Sequence, residues 1–359
     1  MSIFNLCVNF LLLLTLGCSE GDLQSKTQTL EVNKTKVNKF QGKIMRSVDD
    51  GKTWDDISEG LPQNLNINAV LVSSGQAYIG SSKSELYVNQ SAPRNTWLTE
   101  NLKEMYIHKT DESGYSVVGI FETSTAYYAN VIYDALYKKI KGSNQWIPIK
   151  LPTGLNVVNE VKEDHHGNLY ITGQHGVYIS NNNGMQWTHI FNHGWIDNIV
   201  LQNDIIVISG IGGLHRSENM GKTWSKLSIA KPNANSLIVE KDKDHNYQLF
   251  TLGKELAIVR SDYPNKNAGN GKLQVSSDGG LTWHNHTADI VLQKLEGISN
   301  VTLYNGILYC SSIDGINSSA DGGHTWYPVL QYKNNQPNMS IKLYHDGKTF
   351  YAIEQNMGC

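Results

Sequence analysis

Tryptophan returns along this 359-residue chain at a near-regular interval, and five of the seven tryptophans that keep the beat close the same eight-residue box. Its full form, S-x-D-x-G-x-T-W, occurs as Ser47, Asp49, Gly51, Thr53, Trp54, then as Ser276, Asp278, Gly280, Thr282, Trp283, and again as Ser319, Asp321, Gly323, Thr325, Trp326. Two near-copies carry asparagine in place of aspartate: Ser180, Asn182, Gly184, Gln186, Trp187, and Ser217, Asn219, Gly221, Thr223, Trp224. Trp97 and Trp146 hold the interval where the box has decayed, and the successive spacings are 43, 49, 41, 37, 59 and 43 residues. An internal period of about 40–50 residues with strand-like segments between marks a propeller or a solenoid, whose units cannot bury an apolar face alone.

Each position in the box has a turn role. Aspartate or asparagine can bond backbone amides ahead of it, and serine does so more weakly. Glycine takes backbone angles that other residues resist. Threonine and tryptophan open the next strand, with the indole free to pack between sheets. The box therefore reads as a hairpin clasp and not as a calcium or catalytic carboxylate site, so Asp49, Asn182, Asn219, Asp278 and Asp321 are assigned as structural.

Between boxes the same grammar recurs: a first strand, a turn, then a second strand ending near Gly or Ser. Asn68 to Val72 with Ala77 to Gly80 is one example, and Asp197 to Leu201 with Ile205 to Gly210 is another. Each unit supplies four short strands, the content of one blade. Ser340 to Tyr344 and Thr349 to Glu354 read as first and second strands, after which the chain stops. Lys43 to Ser47, with its box and Trp54, supplies third and fourth strands without a first pair. Joined, the two halves complete a seventh blade. The expectation is an all-β, seven-bladed β-propeller of four-stranded blades, closed by pairing the N- and C-terminal strands so that no sheet edge of the ring is left open.

The boxes resemble the Asp-box, or bacterial neuraminidase repeat, and the resemblance covers about residues 43–358. That repeat occurs in sialidases, xyloglucan-cleaving glycosidases, sortilin-type receptors and photosystem II assembly factors. The resemblance implies a fold, not a reaction, and implies that the boxes lie between third and fourth strands on the face away from any ligand. Sialidases carry an Arg-Ile-Pro motif whose arginine joins a three-arginine clamp. This chain has no such motif and only four arginines, Arg46, Arg94, Arg216 and Arg260, two of which flank boxes. Sialidase activity is not expected.

Residues 1–18 carry an apolar run, Ile3 to Gly17, too short for an ordinary membrane span. Its end, Leu14-Thr15-Leu16-Gly17-Cys18, resembles a bacterial lipoprotein signal with Cys18 as the lipidated residue, although Thr15 stands where leucine is preferred and no Lys or Arg precedes the run. Ordinary secretion and a retained anchor are the other readings. Residues 19–42 are polar and aperiodic and read as a tether, leaving 43–359 as the propeller. Besides Cys18, the mature part holds only Cys310 and Cys359, which excludes a disulfide framework and leaves a single bridge or a buried Cys310 open. The formal net charge of −3 and the lack of a basic tract argue against a nucleic-acid partner.

In a propeller, the fourth-to-first and second-to-third connections share one face. Two second-to-third connections read as long: Phe121 to Leu136, containing Tyr127, Tyr128 and Tyr133, and Gly253 to Gly271, containing Arg260, Asp262 and Tyr263. Long loops on a compact scaffold are often functional, and tyrosines there can stack on sugars, anchor a protein or simply pack on neighbouring blades. First strands read as beginning at Asn68, Glu104, Glu160, Asp197, Asn235, Ser299 and Ser340, with His193 and Trp195 just ahead of Asp197. Glu104, Glu160 and Asp197 are candidate acid and base for glycoside hydrolysis, or else the ordinary lining of a wet channel. No phosphate-cradling loop, nucleophile elbow or metal-ligand spacing is present, so no cofactor and no metal are expected. His165 and His166 fall in a first-to-second strand turn and read as solvated. The leading functional reading is an exported, lipid-anchored, non-catalytic propeller that binds a carbohydrate or protein partner through Tyr127, Tyr128, Tyr133, Trp195, Arg260 and Tyr263. A glycoside hydrolase and a cell-envelope assembly factor are the alternatives.

Overall fold

A computed structural model of the protein describes residues 38–39, 42–82, 85–90, 96–102, 115–229, 246–261, 273–286, 300–333 and 339–356. Its secondary structure is entirely β and forms seven sheets, each built on a four-stranded antiparallel blade. Blade one comprises Ile67–Ser73, Gln76–Ser81, Glu85–Asn89 and Trp97–Asn101, and blade two Val117–Glu122, Ala126–Val131, Ala135–Ile140 and Trp146–Ile149. Blade three is Val158–Glu163, Leu169–Gly173, Gly176–Ser180 and Thr188–Phe191, and blade four Ile196–Gln202, Ile205–Gly210, Gly213–Ser217 and Ser225–Lys226. Blade five follows with Asn246–Leu252, Glu255–Ser261, Leu273–Ser276 and His284–Asn285, and blade six with Asn300–Tyr304, Ile307–Ser312, Gly315–Ser319 and Tyr327–Gln331.

The seventh blade is made from both ends of the chain. Met339–His345 and Phe350–Asn356 supply its first two strands, and Ile44–Ser47 and Asp55–Asp56 its last two. The joint is antiparallel, with Ile44 opposite Ile353 and Ser47 opposite Phe350. The seven-bladed, terminus-closed fold read from the sequence is therefore the one observed. One strand exceeds that reading: Asn38–Lys39, at the end of the expected tether, runs parallel to Leu330–Gln331 as a fifth strand of blade six.

The core lies between blades. Seven apolar clusters each join two neighbours, from Tyr78, Leu86, Val117 and Ala129 between blades one and two to Ile44, Ile353, Ile67 and Ile79 between blades seven and one. Second and third strands are sandwiched on both faces, which is why segments such as Leu169–Gly173 are buried at every residue. First strands line the centre and mix buried with partly exposed positions, as Ile67–Ser73 does.

The five boxes form one hydrogen-bond pattern on the turns between third and fourth strands. In the box of blade five, Ser276 Oγ accepts the Gly280 N–H at 2.8 Å and donates to Asp278 Oδ1 at 2.7 Å. Asp278 accepts the Thr282 N–H at 2.9 Å and its hydroxyl at 2.5 Å, and the Trp283 indole N–H donates to Gly280 O at 2.9 Å. Asparagine serves equally: Asn219 Oδ1 accepts the Thr223 N–H at 2.9 Å, while its own amide donates to the Thr223 hydroxyl at 2.8 Å. Glycine is required twice over. Gly221 has φ of +84°, and a Cβ there would stand 2.5 Å from Ile190 of blade three. The box thus both turns the chain and presses the turn onto the preceding blade. Trp224 extends this contact, donating to Ile190 O at 2.8 Å.

Two outcomes test this architecture. A chain ending at residue 339 loses Ile341, Leu343, Phe350, Tyr351 and Ile353, all at most 2% exposed. At about 1.5–3 kcal/mol per buried large side chain, that loss approaches the ~5–15 kcal/mol that holds a domain folded. Such a chain should show no cooperative thermal transition by circular dichroism. The second outcome concerns Asp278, whose pKa is lowered to about 2, first by the Thr282 hydroxyl and then by the Thr282 amide. A depressed carboxylate pKa stabilises above the unfolded value and loses that contribution as pH falls through the folded value, here between about 4 and 2. Asp278→Ala should lower stability at neutral pH by about 1 kcal/mol. Asp278→Asn should be slightly less stable than wild type at neutral pH, because its amide gains nothing from ionisation, and that deficit should shrink as pH falls through the acid window in low-salt urea melts.

Candidate functional site

The face opposite the boxes carries the fourth-to-first connections and the second-to-third turns, and its chemistry varies from blade to blade. Blade four places an aromatic and apolar group there. Asn192, His193, Gly194 and Trp195 enter its first strand, and Ile211 and Gly212 turn its second strand into its third. The Ile211 N–H donates to Trp195 O at 2.8 Å, which clamps the two connections together. Gly194 and Gly210 allow it: a Cβ on Gly210 would lie 2.0 Å from Trp195 O. The result leaves Ile211 60% exposed, Trp195 half-buried and His193 exposed, the last packing edge-on against Phe191.

Asp197 follows immediately. The pairing register skips it, Ile196 facing Gly210 and Asn198 facing Ser209, so Asp197 is the extra residue of a β-bulge. Bulges re-aim side chains near functional sites. Asp197 is exposed, and crowding by its surroundings raises its pKa, opposed by a hydrogen bond from Trp195. Equivalent bulges fall at Asn68, Val118 and Asn159 in blades one to three.

Glu160 stands one residue past the bulge in blade three, the position Asn198 holds in blade four. Both side chains do the same work. Glu160 Oε2 accepts the Ile199 N–H at 2.8 Å, and Asn198 Oδ1 accepts the Leu249 N–H at 3.1 Å. Each satisfies an edge amide of the next blade's first strand, an orphan donor wherever a sheet edge is buried. Burial raises the Glu160 pKa, countered by Lys162 4.0 Å away and by the Ile199 amide, and raised further by the charge of Asp197. Its carboxylate is engaged as a tie between blades.

Several expected site residues stand elsewhere. Tyr127 and Tyr128 are not in a loop. They belong to the second strand of blade two, and the second-to-third connection is the three-residue turn Ile132 to Asp134. Tyr128 is 1% exposed in the core between blades two and three, and Tyr127 packs on Tyr78 with ring centroids 5.1 Å apart. Ala126–Val131 is a strand with five of its six residues buried, because both neighbouring blades cover it. Tyr133 does sit on the turn, 63% exposed and with φ of +64°. Gly253 is likewise no loop start: it turns the first strand of blade five into the second, and Arg260 lies on that second strand, Glu255–Ser261. Tyr263, Asp262, Glu104, Cys18 and Cys359 fall outside the described residues. First strands of blades two and five begin at Val117 and Asn246, not at Glu104 and Asn235. Cys310 is a free, fully buried thiol whose pKa burial pushes up to about 12. Arg46 and Arg216 are buried on third strands, Arg216 Nε donating to Gly279 O at 2.7 Å across to blade five.

On the box face, folding brings together what linear spacing did not reveal. His165 and His166 of blade three meet Asp204 of blade four, all three exposed, with one ligand atom from each within 4.8 Å of the others. A groove of about 790 Å³ adjoins them, lined in part by Glu122, Ser124, Lys162 and Glu163.

Over residues 25–295 the sequence matches the model of the DUF6242 beta-propeller domain. The chain belongs to that family. The match spans blades one to five and the N-terminal half of blade seven, and the remaining strands complete the ring beyond it. No curated protein matches the sequence. Among solved structures, the chain is similar to YCF48 bound to D1 peptide, at 14% identity and a TM-score of 0.56, covering 89% of this chain and 99% of that one. It is also similar to the extracellular domain of BT3049 from B. thetaiotaomicron, described as a hybrid two-component system, at 11% identity and a TM-score of 0.55, over 83% of this chain and 41% of that one. A third similar structure is PorZ, a surface component of the type-IX secretion system of Porphyromonas gingivalis, at 11% identity and a TM-score of 0.51, over 82% of this chain and 38% of that one. At these identities the likeness is one of fold. The chain spans less than half the length of BT3049 and PorZ.

Proposed function

We propose that this DUF6242-family propeller is an exported binding module that holds a protein or peptide partner on the face opposite its boxes, across blades two to four. The observation that carries this reading is the exposed Tyr133 and Ile211 with the half-buried Trp195, interspersed with the polar Gln174, His175, His193 and Asp197. A large rigid aromatic in an apolar setting, ringed by hydrogen-bonding groups, is the usual composition of a protein-binding hot spot. The same fold in YCF48 was solved with D1 peptide bound, which supports a peptide partner, and PorZ is a bacterial surface component, which is compatible with export. The glycosidase alternative is weakened by Glu160, whose carboxylate already serves the Ile199 amide.

Anchoring through Cys18 completes the reading: lipidation there would hold the propeller at a membrane through residues 19–42.

Two measurements check the proposal. The propeller should select peptides from a displayed peptide library, and Trp195→Ala and Ile211→Ala should each weaken the selected peptides by about 1–3 kcal/mol, with Met185→Ala on the box face neutral. Glycan-array binding without peptide binding would replace the protein partner with a carbohydrate, and hydrolysis of a glycoside panel would restore the enzyme alternative. For the anchor, labelled fatty acid should enter the wild-type protein and not Cys18→Ser; equal labelling of the two would refute lipidation at that residue.

A further inference from the structure

We propose that His165, His166 and Asp204 form a binding site for a divalent transition ion of the zinc type, bridging the first-to-second strand turns of blades three and four on the box-bearing face. The site is independent of the partner face described above.

The donors are held by a stiff turn. Asp164 Oδ1 accepts the N–H groups of His166 and Asn168, each at 2.9 Å, and Asp164 Oδ2 accepts from the Asn168 amide at 2.9 Å and the Tyr170 hydroxyl at 3.0 Å. The Gly167 N–H closes on Asp164 O at 3.0 Å. With Asp164 spent on its own turn, His165 and His166 are presented outward side by side, ring centroids 3.8 Å apart and tilted by 41°. Asp204 comes from the turn Asn203-Asp204, whose Asn203 has φ of +54°. Its Oδ1 stands 3.7 Å from His166 Nε2. That exceeds hydrogen-bond range, and among the described residues neither imidazole makes a hydrogen bond through its ring. Three strong donors therefore face one another, His166 and Asp204 joined only by a contact too long for a hydrogen bond.

The spacing suits a metal after a small adjustment. Zinc–nitrogen bonds of about 2.0–2.1 Å at the tetrahedral angle put ligand atoms roughly 3.3 Å apart, and one donor from each of these three residues already lies within 4.8 Å of the others. All three are exposed and free to rotate the remaining distance. Two imidazoles and one carboxylate select zinc, copper(II) or nickel over calcium and magnesium, which demand oxygen ligands. Three protein ligands leave a tetrahedral ion one open position. The groove beside the site gives water access to it. Its acidic residues stay out of the first coordination sphere: Glu163 accepts the Ser124 N–H and hydroxyl, and Glu122 accepts the Ser73 hydroxyl and pairs with Lys141 at 2.6 Å. Their charge nonetheless favours a cation nearby.

The test uses the mature chain freed of any affinity tag. Titration with zinc against a chromophoric chelator should give one ion per chain, and cobalt(II) should develop the visible absorption of a low-symmetry nitrogen and oxygen site. Loss of even an outer-shell partner costs ~10–100-fold in metal affinity, so His165→Ala, His166→Ala and Asp204→Asn should each weaken zinc by at least that factor. His324→Ala, at an exposed position in the box of blade six, should bind as wild type does. Zinc should also raise the melting temperature of the wild type and not of Asp204→Asn, a surface change whose circular dichroism spectrum should match wild type. Absence of stoichiometric zinc uptake by the wild type would overturn the proposal. Uptake undiminished in all three variants would overturn it equally, by placing the ion elsewhere.

Discussion

Burial of each blade by its neighbours is the interaction on which the rest of the structure depends. No described blade has a core of its own: every apolar cluster is shared across a boundary, and the clusters form an unbroken ring. Stability is therefore a property of closure. An open array would expose two apolar sheet faces, and apolar area is worth about 25 cal/mol per Å² when removed from water. The pairing of Ile44–Ser47 with Phe350–Ile353 is the joint that makes the ring continuous, because it gives blade seven two strands from each end of the chain.

The two faces of the ring divide structural from variable chemistry. On one face the box repeats the same bonds, and aspartate and asparagine exchange freely because the essential act is acceptance of a backbone amide four residues on. First-to-second turns on that face are stitched blade to blade, as by Ser124 to Glu163 and by the Tyr304 hydroxyl to Gly347 O. On the other face no repeated motif constrains the connections. Blade four can offer Trp195 and Ile211 where blade three offers Gln174 and His175. A partner site built there alters no clasp.

Polar side chains in the centre serve the backbone first. First strands are sheet edges, and their outward amides need acceptors. Glu160, Asn198 and Ser311 supply them to Ile199, Leu249 and Leu343 of the following blades. A carboxylate in a propeller channel therefore has a structural duty that resembles a catalytic placement when only the sequence is seen. Glu160 and Asp197 look alike in sequence, yet a one-residue bulge makes Glu160 an inter-blade tie and leaves Asp197 at the surface beside Trp195.

The sequence by itself determined the blade count, the order of strands within each blade and the closure by the termini. These follow from local signals: a turn box every forty residues or so, strand-length apolar runs between, and a half-unit at each end. The clasp itself was legible for the same reason, since its Ser, Asp and Gly bonds lie within five residues, whereas the bond from Trp224 to Ile190 of the preceding blade was not. The tertiary structure alone decided which side chains face outward. Tyr128 and Tyr133 are five residues apart, and one is sealed between two blades while the other is exposed at a turn, because burial here is set by the neighbouring sheet and not by the residue's own segment. The same holds for His166 and Asp204. They are 38 positions apart in the chain and 3.7 Å apart in space, a distance fixed by how blade four packs on blade three.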